Sequence, residues 1–308
     1  MTTAEMRLDS TTAAGGNSGR SFYRSRRIRS FRLYVGLLPF FIYSAFFLAV
    51  PMLKVVLLAF QNQDKHLTLE NINEAMHSVY LESFVQSMQL SAISSITGAI
   101  LGFVAAYAIA ISSIPLLRRV TQTAAGVFAN TGGVPLAFMF IASVGGYGLV
   151  TKGLLKLGID LYAGSWNLFT FSGLVLVYLY FQIPLMIIVI LPAIDGLRLE
   201  WREAAGSLGA SKAQFWRYVA IPLLAPAFSG GVLLLFANSF AAYATASALT
   251  SGTIPLVPIQ IGALVAGNVI PDKANVGYAL GFGMVIIIGV VMSIYAVLQK
   301  RTAKWLNS

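Results

Sequence analysis

The sequence predicts an all-α membrane protein with six transmembrane helices, and three observations lead to this fold class. Of the 308 residues, 57% are hydrophobic and only 10% are charged, whereas soluble domains carry about 25% charged side chains. The apolar residues are concentrated in six runs, each long enough for a helix of roughly 20 residues that crosses a bilayer. No run alternates polar and apolar residues as a membrane-spanning strand does. Because backbone groups in hydrocarbon must bond within the protein, these runs are expected to be helices.

The six predicted spans follow one another with short loops between them. They cover 33–60, 85–111, 123–145, 170–192, 222–249 and 276–298. Residues 33–300 therefore form one transmembrane domain, followed by a short tail at 301–308. Residues 1–32 are polar, rich in Ser, Thr and Gly, and contain a cluster of arginines at their end, so we expect a disordered basic tail. The first apolar run is longer than the core of a signal peptide, which has roughly 7–15 residues, and is expected to stay uncleaved.

The basic residues indicate which side of the membrane each loop occupies. Sixteen of the 21 Lys and Arg residues fall in the tail, in the 112–122 and 193–221 loops and after residue 298, while the three other loops hold four. By the positive-inside rule, both termini are cytoplasmic, in a multi-pass protein of the bacterial inner membrane. The net charge of +10 is then explained by topology and by attraction to anionic membrane lipid, and no nucleic-acid partner is predicted.

Lys54 is the one charged residue inside an apolar run. Its distance from the start of that run places it near the outer end of the first span, where a lysine reaches the interface at low cost. A role in contacting substrate is the alternative interpretation.

The loop at 193–221 is the longest internal loop on the basic side and the most informative segment. Asp195 is predicted to cap a first short helix. On that helix Ala204, Ala205 and Leu208 fall at helical spacing and form one small apolar face.

A turn separates this helix from a second one. Gly209 is predicted to end the first helix, and Ser211 with Gln214 matches the capping-box pattern that starts a helix. A helix-turn-helix at the membrane surface, with alanines exposed on its first helix, suits close docking to another protein. An ordinary amphipathic helix lying in the interface is the alternative.

The same loop resembles the EAA loop of binding-protein-dependent ABC importer permeases. The resemblance rests on Glu203-Ala204-Ala205, three residues, Gly209, nine residues, and then Val219-Ala220-Ile221-Pro222. The family pattern is Glu-Ala-Ala, three residues, Gly, nine residues, then Ile-x-Leu-Pro. Val219 and Ile221 depart from that pattern but keep its apolar, branched character.

The likeness extends over roughly residues 33–300 and implies the type I ABC importer permease fold. Residues 67–72 and 236–245 resemble the branch of the family that carries polyamines, ferric iron, phosphonate and thiamine. The implied substrate is therefore a small polar solute, with a polyamine favoured.

In that family, the EAA loop forms a coupling helix that sits in a groove of a separate ATPase. The resemblance thus implies three kinds of protein partner: a cytoplasmic ABC ATPase dimer, a second permease subunit that is identical or a sister chain, and a periplasmic or extracellular solute-binding protein. The implied ATPase-coupling residues are Glu203, Ala204, Ala205, Leu208, Gly209 and Pro222.

No catalytic residue, metal site or cofactor is predicted. Cysteine is absent, and so is the Gly-x-x-x-x-Gly-Lys-Ser/Thr loop that holds ATP phosphates, so ATP hydrolysis is expected in a partner chain. His66 and His77 share a loop with Asp64, Glu70 and Glu74, but their spacing matches no metal-ligand pattern.

The alternative function is an ion-gradient-driven secondary transporter or a channel. Such proteins place ionisable groups at membrane depth, whereas all eleven acidic residues here are predicted to lie in the tail or the loops.

Polar side chains inside the predicted spans are the candidates for the translocation path. They are Asn130, Gln182, Asn238, Ser239, Tyr243 and Thr245. Amides and hydroxyls at membrane depth need hydrogen-bond partners, which a water-filled path supplies. Hydrogen bonding between packed helices supplies them equally well, so packing remains the alternative for each residue.

Overall fold

The computed structural model of the protein describes residues 36–62, 64–164, 166–266 and 273–306. The predicted basic tail at 1–32 lies outside the described residues. Of the predicted 301–308 tail, the described part continues the last helix as far as Leu306. Within the described ranges every regular element is a helix, apart from one isolated antiparallel bridge between Gln61 and Leu67.

The helices of the described residues, in chain order, are α1 (Gly36–Ala59), α2 (Glu70–Ala75), α3 (Ser78–Ile111), α4 (Pro115–Asn130), α5 (Gly133–Val144), α6 (Leu149–Lys156), α7 (Phe171–Asp195), α8 (Leu199–Ser207), α9 (Lys212–Ala241), α10 (Ala244–Thr250), α11 (Val257–Val265) and α12 (Ala274–Leu306). Six stretches are long and apolar enough to cross a membrane: α1, α3, α5 with α6, α7, α9 and α12. The predicted all-α fold with six spans is thereby confirmed.

The chain divides into two compact units, and the described part of the first is residues 36–54. These residues belong to α1, which contains one wide π turn at Ala45–Ala49. Their large apolar side chains are exposed all round the helix, as is typical of a helix surrounded by lipid. The Tyr43 and Phe47 rings contact each other within the helix in a tilted arrangement, with ring centroids 4.7 Å apart.

The centre of the second unit, residues 55–308, is the close contact between α3 and α7. A Cβ atom built on Gly98 would lie 2.7 Å from the Cβ of Gln182, and one on Gly102 would lie 2.5 Å from the Cβ of Met186. Both helices advance by four residues between the two contacts, so they run parallel. Glycine permits this approach because the backbones of packed transmembrane helices come closest where side chains are smallest.

Helix α9 packs antiparallel to α7. The Gln182 Nε2 amide donates a 2.9 Å hydrogen bond to the Leu235 carbonyl, and a Cβ on Gly231 would lie 2.7 Å from the Met186 sulfur. Ser94 of α3 and Ser239 of α9 hydrogen-bond at 2.8 Å. The spans α3, α7 and α9 are therefore joined by hydrogen bonds between buried polar groups.

The two ends of the second unit differ in charge. We call one the basic end: there α3 and α7 finish, α4 and α9 begin, and Arg118 of α4 forms an ion pair with Asp195 of α7. Its cationic side chains are Arg118, Arg119, Arg198, Arg202, Lys212 and Arg217. The opposite end carries Lys65, Lys152, Lys156 and Lys273 together with Asp64, Glu70, Glu74, Glu82 and Asp160.

The opposite end is held by polar contacts between α12 and the segments near α2. The Asn275 Nδ2 amide donates to the Gln61 carbonyl over 2.8 Å, and Lys273 donates a hydrogen bond to Glu74. This hydrogen bond and the negative charge of Glu74 raise the pKa of the Lys273 amine.

The third predicted span, 123–145, is wrong in its boundaries. Helix α4 already begins at Pro115, inside the predicted 112–122 loop, and ends at Asn130; the chain then breaks before α5 starts at Gly133. The first turns of α4 are polar and basic, so a search for apolar runs misses them. Gly133 has φ +78°, a left-handed conformation that favours glycine and separates the two helices.

The fifth predicted span, 222–249, is also divided. Helix α9 starts earlier, at Lys212, and stops at Ala241, after which α10 begins at Ala244. Contrary to the prediction that acidic residues avoid the spans, Glu82 lies in the first turns of α3 and Asp195 is the last residue of α7. Both sit at helix ends, where water reaches a carboxylate.

Because α3 and α7 are in close contact, we expect one added methyl group between them to lower the stability of the protein. Gly102→Ala places its Cβ against the Met186 Cβ and within 2.8 Å of the Ile183 carbonyl oxygen. We expect a loss of about 1–3 kcal/mol of stability, the usual effect of overpacking, seen as a lower thermal unfolding temperature of the purified protein in detergent.

Gly126→Ala is the matched control, because it is also a helical glycine and a Cβ there would meet no atom within 4 Å. Its unfolding temperature should stay the same or rise, since alanine favours helix more than glycine does. Equal unfolding temperatures for the two variants would show that the α3–α7 contact is looser than described.

Candidate coupling loop and broken-helix site

The first helix of the informative loop is α8, Leu199–Ser207, but Asp195 does not cap it. Arg198 occupies the N-cap position and makes no capping hydrogen bond with its side chain. Asp195 ends α7 and binds Arg118. The predicted cap was wrong because α7 extends three residues beyond the apolar run that the sequence shows.

The turn after α8 has the hydrogen bonds of a glycine C-cap. Gly209 has φ +81°; its N–H donates to the Gly206 carbonyl, and the Ala210 N–H donates to the Ala205 carbonyl, both at 2.9 Å. This is the Schellman arrangement, in which a left-handed residue after the helix satisfies its last carbonyls. The predicted stop at Gly209 is confirmed.

The second helix begins with the predicted capping box. The Gln214 N–H donates to Ser211 Oγ over 3.3 Å, and the Ser211 N–H donates to Gln214 Oε1 over 2.7 Å. The helix then runs through a wide π turn at Trp216–Ala220 directly into the fifth span. The second loop helix and the fifth span are therefore one continuous helix, Lys212–Ala241. Pro222, which has no N–H, follows the π turn within it.

The six predicted coupling residues do not share one face. Leu208 is 88% exposed, and Glu203, Ala204, Gly209 and Pro222 are also exposed. Ala205 is half-buried and faces a cavity between α8 and the ends of α3 and α7. Of the exposed residues, Glu203, Ala204, Leu208 and Gly209 lie on α8 or directly after it, and Pro222 lies apart from them on α9.

Three of the six predicted path residues make hydrogen bonds inside the protein and are buried. Gln182 donates to the Leu235 carbonyl, and Ser239 bonds Ser94. Thr245 Oγ1 accepts a 2.8 Å hydrogen bond from the Gly133 N–H. These contacts are of the kind that the packing alternative expects, although Gln182 Oε1 is buried without a hydrogen-bond partner among the described residues.

Asn130, Asn238 and Tyr243 are the other three, and all are exposed. They lie at or near the two interruptions, between α4 and α5 and between α9 and α10. The Thr245–Gly133 hydrogen bond joins the two interruptions directly. The protein thus presents exposed polar side chains at two adjacent interruptions, one where the span that begins with α5 starts and one where α9 ends.

The free backbone groups at these interruptions find partners nearby. Asn130 Nδ2 donates to the Gly126 carbonyl and Thr131 Oγ1 to the Val127 carbonyl, both at 2.8 Å. The Tyr178 hydroxyl of α7 donates to the Ala242 carbonyl over 3.0 Å. Broken helices are tolerated at membrane depth only where other groups satisfy the backbone in this way.

Residues 29–304 match the family described as "Binding-protein-dependent transport system inner membrane component". The chain belongs to this family of permeases. The resemblance carried by the EAA loop is therefore confirmed, as is a multi-pass location in the inner membrane.

Two relatives of the permease differ in the substrate that their names give. It is 26% identical to the spermidine/putrescine transport system permease protein PotB of Haemophilus influenzae, over 87% of this chain and 92% of that protein. It is also 26% identical to the probable sulfate transport system permease protein cysT of Nephroselmis olivacea, over 68% of this chain and 76% of the relative.

A solved structure shares the fold. The permease superposes with a TM-score of 0.66 on a chain of a bacterial ABC transporter involved in the import of the acidic polysaccharide alginate. The match covers 92% of this permease and 99% of that chain, at 18% sequence identity. The type I importer permease fold is confirmed by this likeness.

The sequence analysis did not identify three residues that form hydrogen bonds at or near the two interruptions: Ser94, Gly133 and Tyr178. A signal for the first was present, because buried serines recur about every four residues along one face of α3, at Ser83, Ser87, Ser91, Ser94 and Ser95. Tyr178 lies in a continuous apolar run, where only its contact with the Ala242 carbonyl reveals its role.

The loop histidines form no cluster with neighbouring carboxylates. Among the described residues, no three His, Asp or Glu side chains lie close enough to hold a metal ion. The His66 N–H donates to Asn62 Oδ1 over 2.9 Å, and His77 occupies the N-cap position of α3.

The bond that joins the two interruptions can be removed without changing side-chain volume. Thr245→Val leaves the Gly133 N–H without its partner, and an unsatisfied donor at this depth is expected to cost about 1–3 kcal/mol. Thermal unfolding of the purified permease in detergent measures this loss.

Thr250→Val is the matched control on the same helix. Thr250 is equally buried, but its hydroxyl only donates to the Ala246 carbonyl one turn back, so its removal leaves no N–H unpaired. If both variants unfold at the same temperature, the Thr245 bond does not hold the interruptions together.

Proposed function

We propose that this chain is the permease subunit of an ATP-driven importer for a small polar solute and that α8 is its coupling helix. The observation that carries the proposal is the exposed surface formed by Glu203, Ala204, Leu208 and Gly209. Leu208 is 88% exposed beside small residues, in a loop whose ends are fixed by a glycine C-cap and a capping box. A large apolar side chain held out on a rigid support is typical of a docking surface.

The proposed partner at this surface is a cytoplasmic ABC ATPase, present as a dimer. No phosphate-binding Gly-rich loop occurs in the sequence, so the energy of hydrolysis must enter through another chain. The proposal places the basic end and both termini in the cytoplasm, in agreement with the positive-inside rule. A solute-binding protein then meets the opposite end, between the loops that carry Glu74 and Asp160.

The proposed translocation path passes Asn130, Asn238 and Tyr243. Exposed amides and a phenol at membrane depth are unfavourable against lipid, but they are satisfied beside water or at the surface of a second permease. Interrupted helices at such a depth are where membrane transporters bind solutes. A second permease subunit, identical or a sister chain, would close the path on its other side.

The favoured substrate is a polyamine. The support is the likeness to the spermidine/putrescine permease, which extends over 92% of that relative. Tyr243 offers an aromatic face for an ammonium group. Sulfate is the second candidate, because the sulfate permease relative is equally identical, although over a smaller part of its length.

The coupling proposal is tested at Leu208. Leu208→Glu places a charge in the docking surface, and we expect association with the cognate ATPase to fall by about tenfold or more, as at other interface centres. Co-purification of the ATPase with the affinity-tagged permease measures this association.

Leu67→Glu is the control, because Leu67 is 81% exposed and lies at the opposite end; this variant should bind the ATPase normally. Undiminished association of both Leu208→Glu and Ala204→Glu would contradict the proposal.

The substrate and the path are tested together by uptake. Cells that carry the permease with its cognate ATPase and binding protein are supplied with labelled spermidine or labelled sulfate, and we expect permease-dependent uptake of spermidine. Tyr243→Leu should lower that uptake by about threefold to tenfold, since it removes one aromatic contact to a cation.

Tyr147→Leu serves as the control, because Tyr147 is 92% exposed and lies outside the proposed path. Uptake of labelled sulfate without uptake of labelled spermidine would establish sulfate, and not a polyamine, as the substrate. Unchanged uptake by Tyr243→Leu, at equal amounts of permease in the membrane, would remove Tyr243 from the path.

A further inference from the structure

A cavity of about 560 Å³ opens at the basic end, on the side of α8 that faces the spans. Three cationic side chains line it: Arg198 and Arg202 from α8 and its N-cap, and Lys212 from the start of α9. Asp195 is the acidic residue in the lining, and it is already bound to Arg118. In the part of the chain that the structure describes, none of the three cations has a carboxylate within ion-pair distance.

The remaining wall of this cavity is apolar apart from Ser211. Tyr107 and Ile194 line it at the ends of α3 and α7, and Trp216 lines it from α9. The Trp216 ring packs edge-on against Tyr107, with centroids 5.2 Å apart. The cavity therefore combines three cationic residues with apolar and aromatic ones, although the Arg198 guanidinium lies over the Trp201 ring, 5.8 Å from its centroid.

A second concavity, an apolar groove of about 360 Å³, begins at the same tryptophan. Between α3 and α9 it is lined by Phe103 and Val104 on one side and by Ile221 and Phe228 on the other. Beyond Trp216, its lining on α9 extends from Ile221 to Ser229, a rise of about 12 Å along a helix. That length approaches half of the hydrocarbon thickness of roughly 30 Å.

We propose that the cavity and the groove together bind one anionic phospholipid. Its phosphate lies among Arg198, Arg202 and Lys212, and one acyl chain follows the groove between α3 and α9. Trp216 separates the two regions at the level of the headgroups, the usual position of tryptophan in membranes. Basic pockets between transmembrane helices on the positive side bind anionic headgroups by the same attraction.

A lipid fits these observations better than a protein segment or a free anion. An anion alone would use the three cations and leave the apolar groove without a role. The surface of α8 that Leu208 presents to a partner lies away from the cavity, so a docked ATPase and a bound lipid do not compete for it. The lipid would connect α8 to the ends of α3 and α9 and hold the coupling helix at a fixed height.

The proposal is tested with the full-length permease, purified and delipidated in detergent. Phosphatidylglycerol and phosphatidylcholine are titrated separately, and the lipid-bound fraction is measured by native mass spectrometry. We expect tighter binding of phosphatidylglycerol and a loss of about tenfold or more in its affinity in Arg198→Gln/Arg202→Gln/Lys212→Gln, which removes three positive charges. The matched control is Lys65→Gln/Lys152→Gln/Lys156→Gln, with the same charge change at the opposite end.

Two further measurements separate a lipid from a free anion. Ala225→Trp fills the groove from an exposed position of α9 and should also weaken phosphatidylglycerol binding, without touching the cations. Inorganic phosphate in excess should fail to displace the lipid. Size-exclusion profiles and unfolding temperatures verify that each variant is folded, and Arg202→Gln alone replaces the triple variant if that protein does not fold.

The following outcomes would overturn the proposal. Equal binding of the two lipids would show no preference for an anionic headgroup. Undiminished phosphatidylglycerol binding by the triple variant would show that the cavity is not part of the lipid site. Undiminished binding by Ala225→Trp would show the same for the groove. Displacement by inorganic phosphate would assign the cations to a free anion.

Discussion

Backbone N–H and C=O groups at membrane depth must find their partners inside the protein, since hydrocarbon offers none. This constraint is met with ease along unbroken helices, and it becomes demanding where α4 gives way to α5 and α9 to α10. There the Thr245 side chain accepts from Gly133, and the Tyr178 hydroxyl donates to Ala242. A path beside the interruptions, as proposed, depends on these side chains to replace the missing helical bonds.

The packing of the spans supports those bonds. Leu168, Leu174 and Leu256 form a fully buried core around the interruptions, while Gly98 and Gly102 let α3 approach α7 closely. Within lipid there is little hydrophobic gain from bringing helices together, so close van der Waals contact supplies most of the attraction. The glycines therefore determine how near the helices come, and the hydrogen-bonded side chains then determine which rotation each helix adopts.

The number of spans and the capping of the loop helices could be predicted from sequence because both depend on local patterns. Apolar runs mark helices in lipid, and Gly209 with Ser211 and Gln214 marks a helix end and the next helix start. The first interruption was missed because the basic start of α4 hides that helix from a search for apolar runs, although Gly132 and Gly133 together are a turn signal. The second leaves no such mark, because Ala242 and Tyr243 continue an apolar run. The partner of Asp195 was missed for a related reason: its ion pair with Arg118 joins residues 77 positions apart.

Helix α9 has 30 residues and reaches about 45 Å from the capping box to the interruption beside Tyr243. A stiff rod of this length acts as a lever, so a small tilt at the end near the ATPase displaces the far end by several ångströms. Two features alter the regular hydrogen-bond ladder along α9: the wide turn at Trp216–Ala220 and Pro226, which lies inside the helix and has no N–H. Bending at these points would let the docking surface move without displacing the far end, whereas a helix that stays straight there would pass the tilt on to the interruption.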